Sequence, residues 1–166
     1  MDGSSTQILI MVILVMMSAY FSATETAFSS LNRTRLKTMA EDGNKKAELA
    51  LKLEEKYDKL ISTILIGNNI VNIGLASLGT IFFVNLLNDQ TLGSSVSTVV
   101  ITIAVLIFGE ITPKSIAKDC PEKFAMFSSP YIKALIVVLT PINFLFSLWK
   151  KLVTNVLKIE GNEKMS

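Results

Sequence analysis

Long uncharged stretches alternate along this chain with segments that are dense in charge. Residues 8–23, 61–86 and 94–108 carry no charged side chain, whereas residues 32–60 carry eight Lys or Arg and six acids. An α-helix rises 1.5 Å per residue, so about 20 apolar residues cross a bilayer core of roughly 30 Å. The pattern predicts an all-α membrane protein with three transmembrane helices, over about residues 8–31, 61–86 and 94–112.

The charged segment between the first two spans has the pattern of helices that lie at a membrane surface. Within residues 32–60, Leu49, Leu53 and Leu60 recur at helical spacing, and Gly43-Asn44 is a turn signal ahead of them. We therefore expect a short helix, a turn and an amphipathic helix here, on the cytoplasmic side.

The region after the third span is predicted to form a juxtamembrane helical belt over about residues 114–160. Its apolar part, residues 124–149, contains Lys133, and we expect Pro130 and Pro141 to break a continuous helix. We interpret it as helical pieces that lie along the cytoplasmic interface. A fourth span is the alternative.

The distribution of basic residues predicts the orientation. Residues 32–60 hold eight of the sixteen Lys and Arg, the region after Ile111 holds the other eight, and residues 1–7 and 87–93 hold none. Because Lys and Arg accumulate in cytoplasmic loops, the N-terminus is expected outside and the C-terminus in the cytoplasm of a multi-pass plasma (inner) membrane protein. A signal peptide is the alternative for the first apolar run, but only Asp2 precedes it where a basic segment is usual.

The composition excludes several chemistries. The chain has no His and one Cys, Cys120, so it has no Ser-His or Cys-His dyad, no Cys/His zinc site and no internal disulfide. We expect no enzyme activity. The net charge of only +2 gives no indication of a nucleic-acid partner.

Polar residues inside the predicted spans carry the functional signal. Ionisable residues in a span are costly and usually mark a site or a pathway. The residues are Ser18, Ser22, Glu25 and Ser29 on one face of the first span, Asn68, Asn69 and Asn72 in the second, and Gly109-Glu110 followed by Pro113 at the end of the third. All three sets are expected in one layer of the cytoplasmic half of the membrane.

Such a layer offers the ligands that a hard cation prefers, which are carboxylate, hydroxyl and amide oxygens. Pro113 has no N–H for the carbonyl of Gly109, so that carbonyl is a further candidate ligand. Simpler interpretations stay open, since span hydroxyls often bond to their own helix and Asn often joins helices. Glu25 could instead lie at the interface beside Arg33 or Arg35.

Small residues form a separate stripe in the second span. Gly67, Gly74 and Ser77 follow at i, i+7 and i+10, a spacing that lets helix backbones approach closely. We interpret the stripe as a helix-packing or dimer face.

Three motifs together resemble the transmembrane domain of the CorC/CNNM magnesium transporter family. They are Phe21-Ser22-Ala23-Thr24-Glu25-Thr26-Ala27-Phe28-Ser29, Gly67-Asn68-Asn69-Ile70-Val71-Asn72 and Phe108-Gly109-Glu110-Ile111-Thr112-Pro113-Lys114. The resemblance covers nearly the whole chain in the right order. It implies a homodimer in the lipid bilayer that exports Mg²⁺, with Na⁺ as the coupling ion.

By position, the resemblance implies that Ser22, Asn69 or Asn72, and Glu110 hold the ion with neighbouring carbonyls such as that of Gly109. Glu25 belongs to the motif, either as a ligand or as a residue that shapes the helix. Family members continue into cytoplasmic CBS domains that bind nucleotide, but this sequence contains none up to Ser166, so nucleotide is not expected on these residues. The alternative function is a structural, dimerising membrane module that presents or regulates a cytoplasmic domain without transport of its own.

Overall fold

The computed structural model describes residues 3–165, and over this range the chain forms helices and turns and no strand. The helices are α1 (Gly3–Ser30), α2 (Arg33–Glu41), α3 (Lys45–Glu55), α4 (Tyr57–Leu87), α5 (Gln90–Ala104), a π-helical segment (Val105–Ile111), α6 (Thr112–Asp119), α7 (Pro121–Val138) and α8 (Thr140–Met165).

Three helical stretches of the described range are long and apolar enough to cross a membrane. They are α1, α4 and the run from α5 to α6, and α7 with α8 would add a fourth only if that bent pair is one span. This confirms the all-α membrane fold with three candidate spans. We call the end of the bundle where α1 ends, α4 begins and α2 and α3 lie the basic end.

A tight turn joins the second and third spans at the opposite end. Asn88 adopts a left-handed conformation with φ of 51°, and the Asp89 carboxylate accepts a hydrogen bond from the Leu92 N–H at 3.0 Å. A Cβ at Gly93 would lie 2.5 Å from the Cα of Val84. Only glycine therefore permits this approach of α5 to α4.

The helix of the third span continues beyond Thr112, the residue at which the sequence predicted the span to end. Proline lacks the N–H of the regular hydrogen-bond ladder, and the helix accommodates Pro113 by widening into the π-helical segment before it. The Thr112 N–H reaches back five residues to the carbonyl of Ile107. The chain then continues as α6 to Asp119.

Ion pairs and caps order the basic end. Asn32 and Asn44 cap α2 and α3, since their side-chain oxygens accept backbone N–H groups of the first turn. Arg33 bonds to Glu54 at 3.1 Å, and Arg35 lies 3.6 Å from the buried carboxylate of Glu122 on α7. The segment that connects α1 to α4, which contains α2 and α3, is therefore fixed to the bundle.

The region after Cys120 differs from expectation at one proline. Pro130 lies inside α7 and does not break it; the break comes at Leu139, before Pro141, where α7 and α8 meet at an angle of 72°. Asn143 of α8 donates to the Thr63 hydroxyl of α4 at 2.9 Å. This buried bond ties the start of α8 to the second span.

Burial is concentrated at the basic end rather than along the spans. Leu36, Leu60, Ala117 and Ile132 are fully buried there. In contrast, only 17–22% of the residues in the most apolar window of each span are buried inside the chain. Lipid or another protein surface must cover the remaining apolar side chains.

Candidate cation site

The three spans approach one another around Ser18. Its hydroxyl, fully buried, donates a hydrogen bond to Oδ1 of Asn68 on α4 at 3.2 Å. A Cβ on Gly109 of the π-helical segment would lie 3.0 Å from the same hydroxyl oxygen. The missing side chain at Gly109 is thus what allows the third span to approach the polar contact between the first two.

An aromatic ring fixes the crossing of α1 and α4 beside this contact. A Cβ at Gly67 would lie 2.7 Å from Cζ of Phe21, so the Phe21 ring fills the space above Gly67. Gly67 therefore packs within the chain, which agrees with the helix-packing interpretation at this position, and a dimer face along the rest of the Gly67, Gly74 and Ser77 stripe stays a prediction. The space beside Gly74 is nearly open, with Leu14 at 4.0 Å.

The asparagines of α4 lie in different environments. Asn72 follows Asn68 by one turn, and its Oδ1 is buried without a hydrogen-bond partner. A buried acceptor of this kind is costly unless something binds it. Asn69 is exposed in the described chain. Of the two asparagines proposed as alternatives from the sequence, Asn72 is the one whose oxygen is buried without a partner.

Ser22 lies one turn beyond Ser18 on α1, towards the basic end. Its side chain is 1% exposed. Other hydroxyls of the bundle bond to their own helix, as Thr24 does to the carbonyl of Tyr20 at 2.7 Å. Among the described residues the Ser22 hydroxyl has no such bond, so its oxygen is available to a ligand.

Both carboxylates of the predicted layer lack a cationic partner. Glu25 and Glu110 are half-buried, and among the described residues no Lys or Arg nitrogen lies within 4.0 Å of either. Arg33 and Arg35 are instead paired with acids of α3 and α7. The suggestion that one of these arginines pairs with Glu25 is therefore wrong.

The donor set is rich in neutral oxygens and poor in charge. Among the side chains that the structure describes, no three His, Cys, Asp or Glu residues group as a metal-binding cluster. A carboxylate combined with hydroxyl, amide and carbonyl oxygens suits a hard cation that must enter and leave, since full neutralisation would trap it. The set of Ser22, Asn69 or Asn72, Gly109, Glu110 and Glu25 stays a prediction.

Two features of this region were missed at the level of sequence. Ser18 and Asn68 were each marked as polar residues of the right face, but their contact was not foreseen. The π-helical segment was not foreseen either, although Pro113 is its signal, because a proline inside a long apolar helix has to be accommodated by a local change of hydrogen bonding.

Comparison with known proteins gives a family match over most of the chain. Residues 9–166 match the family described as the cyclin M transmembrane N-terminal domain. A UPF0053 protein of Haemophilus influenzae is 38% identical over 156 residues, which is 94% of this chain and 37% of the relative. The UPF0053 inner membrane protein YfjD of Escherichia coli is 42% identical over 143 residues, which is 86% of this chain and 33% of the relative.

More distant relatives extend to plastids. A chloroplastic protein of Arabidopsis thaliana with a DUF21 domain is 28% identical over 156 residues, 94% of this chain and 23% of its own length. The chain thus spans between about a quarter and little more than a third of the length of these curated relatives. The resemblance seen in the three motifs is confirmed by these matches.

Proposed function

Because this chain belongs to the family of the cyclin M transmembrane N-terminal domain, we propose that it is a membrane transporter of Mg²⁺. The ion would cross through a site that the three spans form together. Export coupled to Na⁺ entry is the direction that we propose, in line with the resemblance of the three motifs.

The observation that carries the proposal is that oxygens on two of the spans have no partner within the described chain. Oδ1 of Asn72 is buried without a partner, and the carboxylate of Glu110 has no cation beside it within the described chain. Leaving such groups unsatisfied is unfavourable in a membrane, so a bound cation that satisfies them gains free energy.

Each residue then has a distinct role in holding the ion. Glu110 supplies the negative charge that attracts the cation out of water. Asn72 and Ser22 lie one turn to opposite sides of the Ser18–Asn68 contact and supply neutral oxygens at two levels of the spans. Asn69 and Glu25 are the further candidates, and the carbonyl of Gly109 adjoins Glu110. The hydrogen bond from Ser18 orients the Asn68 amide at 3.2 Å and so keeps α1 and α4 in register.

We further propose a homodimer in the plasma (inner) membrane, with the N-terminus outside, the basic end in the cytoplasm and no enzyme activity. The sparse burial of the spans and the open space beside Gly74 support an interface with a second copy. The similarity to YfjD, an inner membrane protein of Escherichia coli, supports the location.

Glu110→Gln tests the cation site. The substitution keeps the shape of the side chain and removes its charge, so we expect Mg²⁺ affinity to fall at least about tenfold, equal to ~1.4 kcal/mol. The measurement is the Mg²⁺-dependent rise in melting temperature of the purified protein, together with Mg²⁺ flux in proteoliposomes.

Glu48→Gln is the matched control, because Glu48 is exposed and its partner is Lys52 one turn away. It should leave both measurements unchanged. If Glu110→Gln binds Mg²⁺ with normal affinity and keeps its fold, the site is wrong. The alternative of a structural, dimerising module that presents a cytoplasmic domain then becomes the better account.

A further inference from the structure

A second polar cleft lies between the start of α4 and α8, and none of its lining residues belongs to the cation site. Its volume is about 430 Å³. Its polar lining includes Lys59, Ser62, Thr140, Asn143 and Lys150, and its apolar lining includes Phe144. This mixed lining distinguishes it from the apolar grooves between the spans.

The cleft carries one uncompensated positive charge. The Lys150 ammonium lies 3.5 Å from the Asp58 carboxylate, so these two charges balance. Lys59, half-buried in the same lining, has no carboxylate within 4.0 Å among the described residues. A ligand with a single negative charge would therefore neutralise the cleft.

Hydrogen-bonding capacity accompanies this charge. The hydroxyl of Ser62, one turn along α4 from Lys59, makes no hydrogen bond within residues 3–165. The nearby Thr140 and Ser147 hydroxyls instead bond to their own helix, at 2.8 and 3.0 Å. Ser62 is thus a free donor beside a free ammonium, which is the pair that a phosphate oxygen accepts from.

The wall of the cleft is fixed rather than adaptable. Asn143 is 93% buried, since only 7% of it is exposed, and its amide donates to Thr63 at 2.9 Å. Thr63 in turn donates to the carbonyl of Lys59 at 2.8 Å. This chain of bonds holds α8 against α4 and keeps Lys59 at the edge of the cleft.

One side of the cleft is apolar. Phe144 and Phe146 line it and are 62% and 50% exposed, and Trp149 follows on the same helix, 65% exposed. Aromatic residues beside a Lys at the end of a membrane span are typical of the depth where lipid headgroups lie. The cleft therefore has a charged part for the headgroup of a phospholipid and, next to it, an apolar part for an acyl chain.

We propose that this cleft is a binding site for one phospholipid. Its phosphodiester accepts hydrogen bonds from the Lys59 ammonium and the Ser62 hydroxyl, and an acyl chain lies along Phe144 and Phe146. The phosphodiester has one negative charge, which matches the one uncompensated ammonium. The proposal is independent of the cation site, since it uses none of the same residues.

Native mass spectrometry of the detergent-purified protein tests the proposal, with dioleoyl phosphatidylglycerol as the probe. We expect saturable binding of one lipid per chain at this site, weakened about fivefold in Lys59→Gln, the effect of ~1 kcal/mol per basic residue. Lys59→Arg should restore binding, because it keeps the charge and a donor. Lys45→Gln, an equal loss of charge at an exposed position of α3, is the matched control and should bind normally.

Two further probes distinguish a phospholipid from free phosphate as the ligand of the cleft. Dioleoylglycerol has the same chains without the phosphodiester and should bind at least fivefold more weakly, while inorganic phosphate should not displace the lipid. Equal binding of dioleoylglycerol, or equal behaviour of Lys59→Gln and Lys45→Gln, would overturn the proposal. Displacement by inorganic phosphate would overturn it too, in favour of a site for the free anion.

Discussion

Acidic residues occur in two regions of this bundle, and within the described chain they have cationic partners in one region and none in the other. At the basic end, Glu54 and Glu122 are paired with Arg33 and Arg35, and the carboxylate of Glu122 also lies 3.4 Å from the Asn32 N–H. On the third span, Glu110 is half-buried without a cationic partner in the described chain.

The difference separates carboxylates that stabilise the fold from carboxylates that are free to bind a ligand. A carboxylate that is paired inside the chain holds two elements together, and a ligand would have to displace its partner. A carboxylate that is unpaired in a poorly solvated place raises the free energy of the protein without its ligand. A bound cation removes that penalty. The predictions below separate the two regions by their responses to Mg²⁺ and to heat.

Glu122→Ala should have the largest effect on stability. The side chain is 9% exposed, and its loss leaves both the Asn32 N–H and Arg35 without this acceptor. We expect a loss of about 2 kcal/mol in the free energy of unfolding, from a melting curve without Mg²⁺. The Mg²⁺-dependent rise in melting temperature should persist.

Glu41→Ala is the control for Glu122→Ala, because Glu41 is exposed and forms no ion pair among the described residues. Loss of the Mg²⁺ response in Glu122→Ala with the fold intact would contradict the separation of the two regions.

Asn72→Leu should have a smaller effect on stability, of the opposite sign. Leucine has the same branched skeleton as asparagine and removes the buried acceptor that has no partner, so the protein without Mg²⁺ should gain about 1 kcal/mol. Mg²⁺ affinity should fall at the same time. Melting curves with and without Mg²⁺ measure both.

Asn85→Leu provides the comparison for Asn72→Leu, since Asn85 is an exposed asparagine near the far end of α4. It should leave Mg²⁺ affinity unchanged. A loss of stability in Asn72→Leu without Mg²⁺ would mean that this amide is a structural contact, as the paired acids are.

Arg33→Gln should have the smallest effect. Its partners Glu54 and Glu55 lie 3.1 and 3.8 Å away, but the arginine side chain is 57% exposed, so solvent screens both pairs. We expect a loss below about 1 kcal/mol in thermal unfolding, reduced further at high salt. A loss as large as that of Glu122→Ala would show that burial is not what separates the two ion pairs.

The all-α membrane architecture could be predicted from the sequence because charge and length alone decide it. Uncharged runs such as residues 61–86 are long enough to span, and a charged segment such as residues 32–60 is too polar to do so. Helical spacing also placed Ser18 and Ser22 on one face, and both are buried.

The contacts between helices could not be predicted in the same way. Spacing gives the face and the depth of a residue but not its partner, so the small residue Gly67 was open to a second copy as well as to Phe21. Pro130 and Pro113 were expected to break or end helices, yet both are accommodated, because neighbouring helices stabilise a helix that proline alone would weaken. Ligation of an ion by Glu110 stays a prediction.

The wide turn at Val105–Ile111 has a consequence for the count of residues along the third span. Ser97 and Gly109 are both buried, but at about 100° per residue an unbroken α-helix would place them about 120° apart around its axis. One surplus residue absorbed by the wide turn reduces that offset to about 20°. A deletion of one residue between them would therefore remove the wide turn and leave Gly109 on the side of the helix that Ser97 occupies. An insertion of one residue with the wide turn unchanged would instead rotate Gly109, Pro113 and Ala117 away from that side by about 100°.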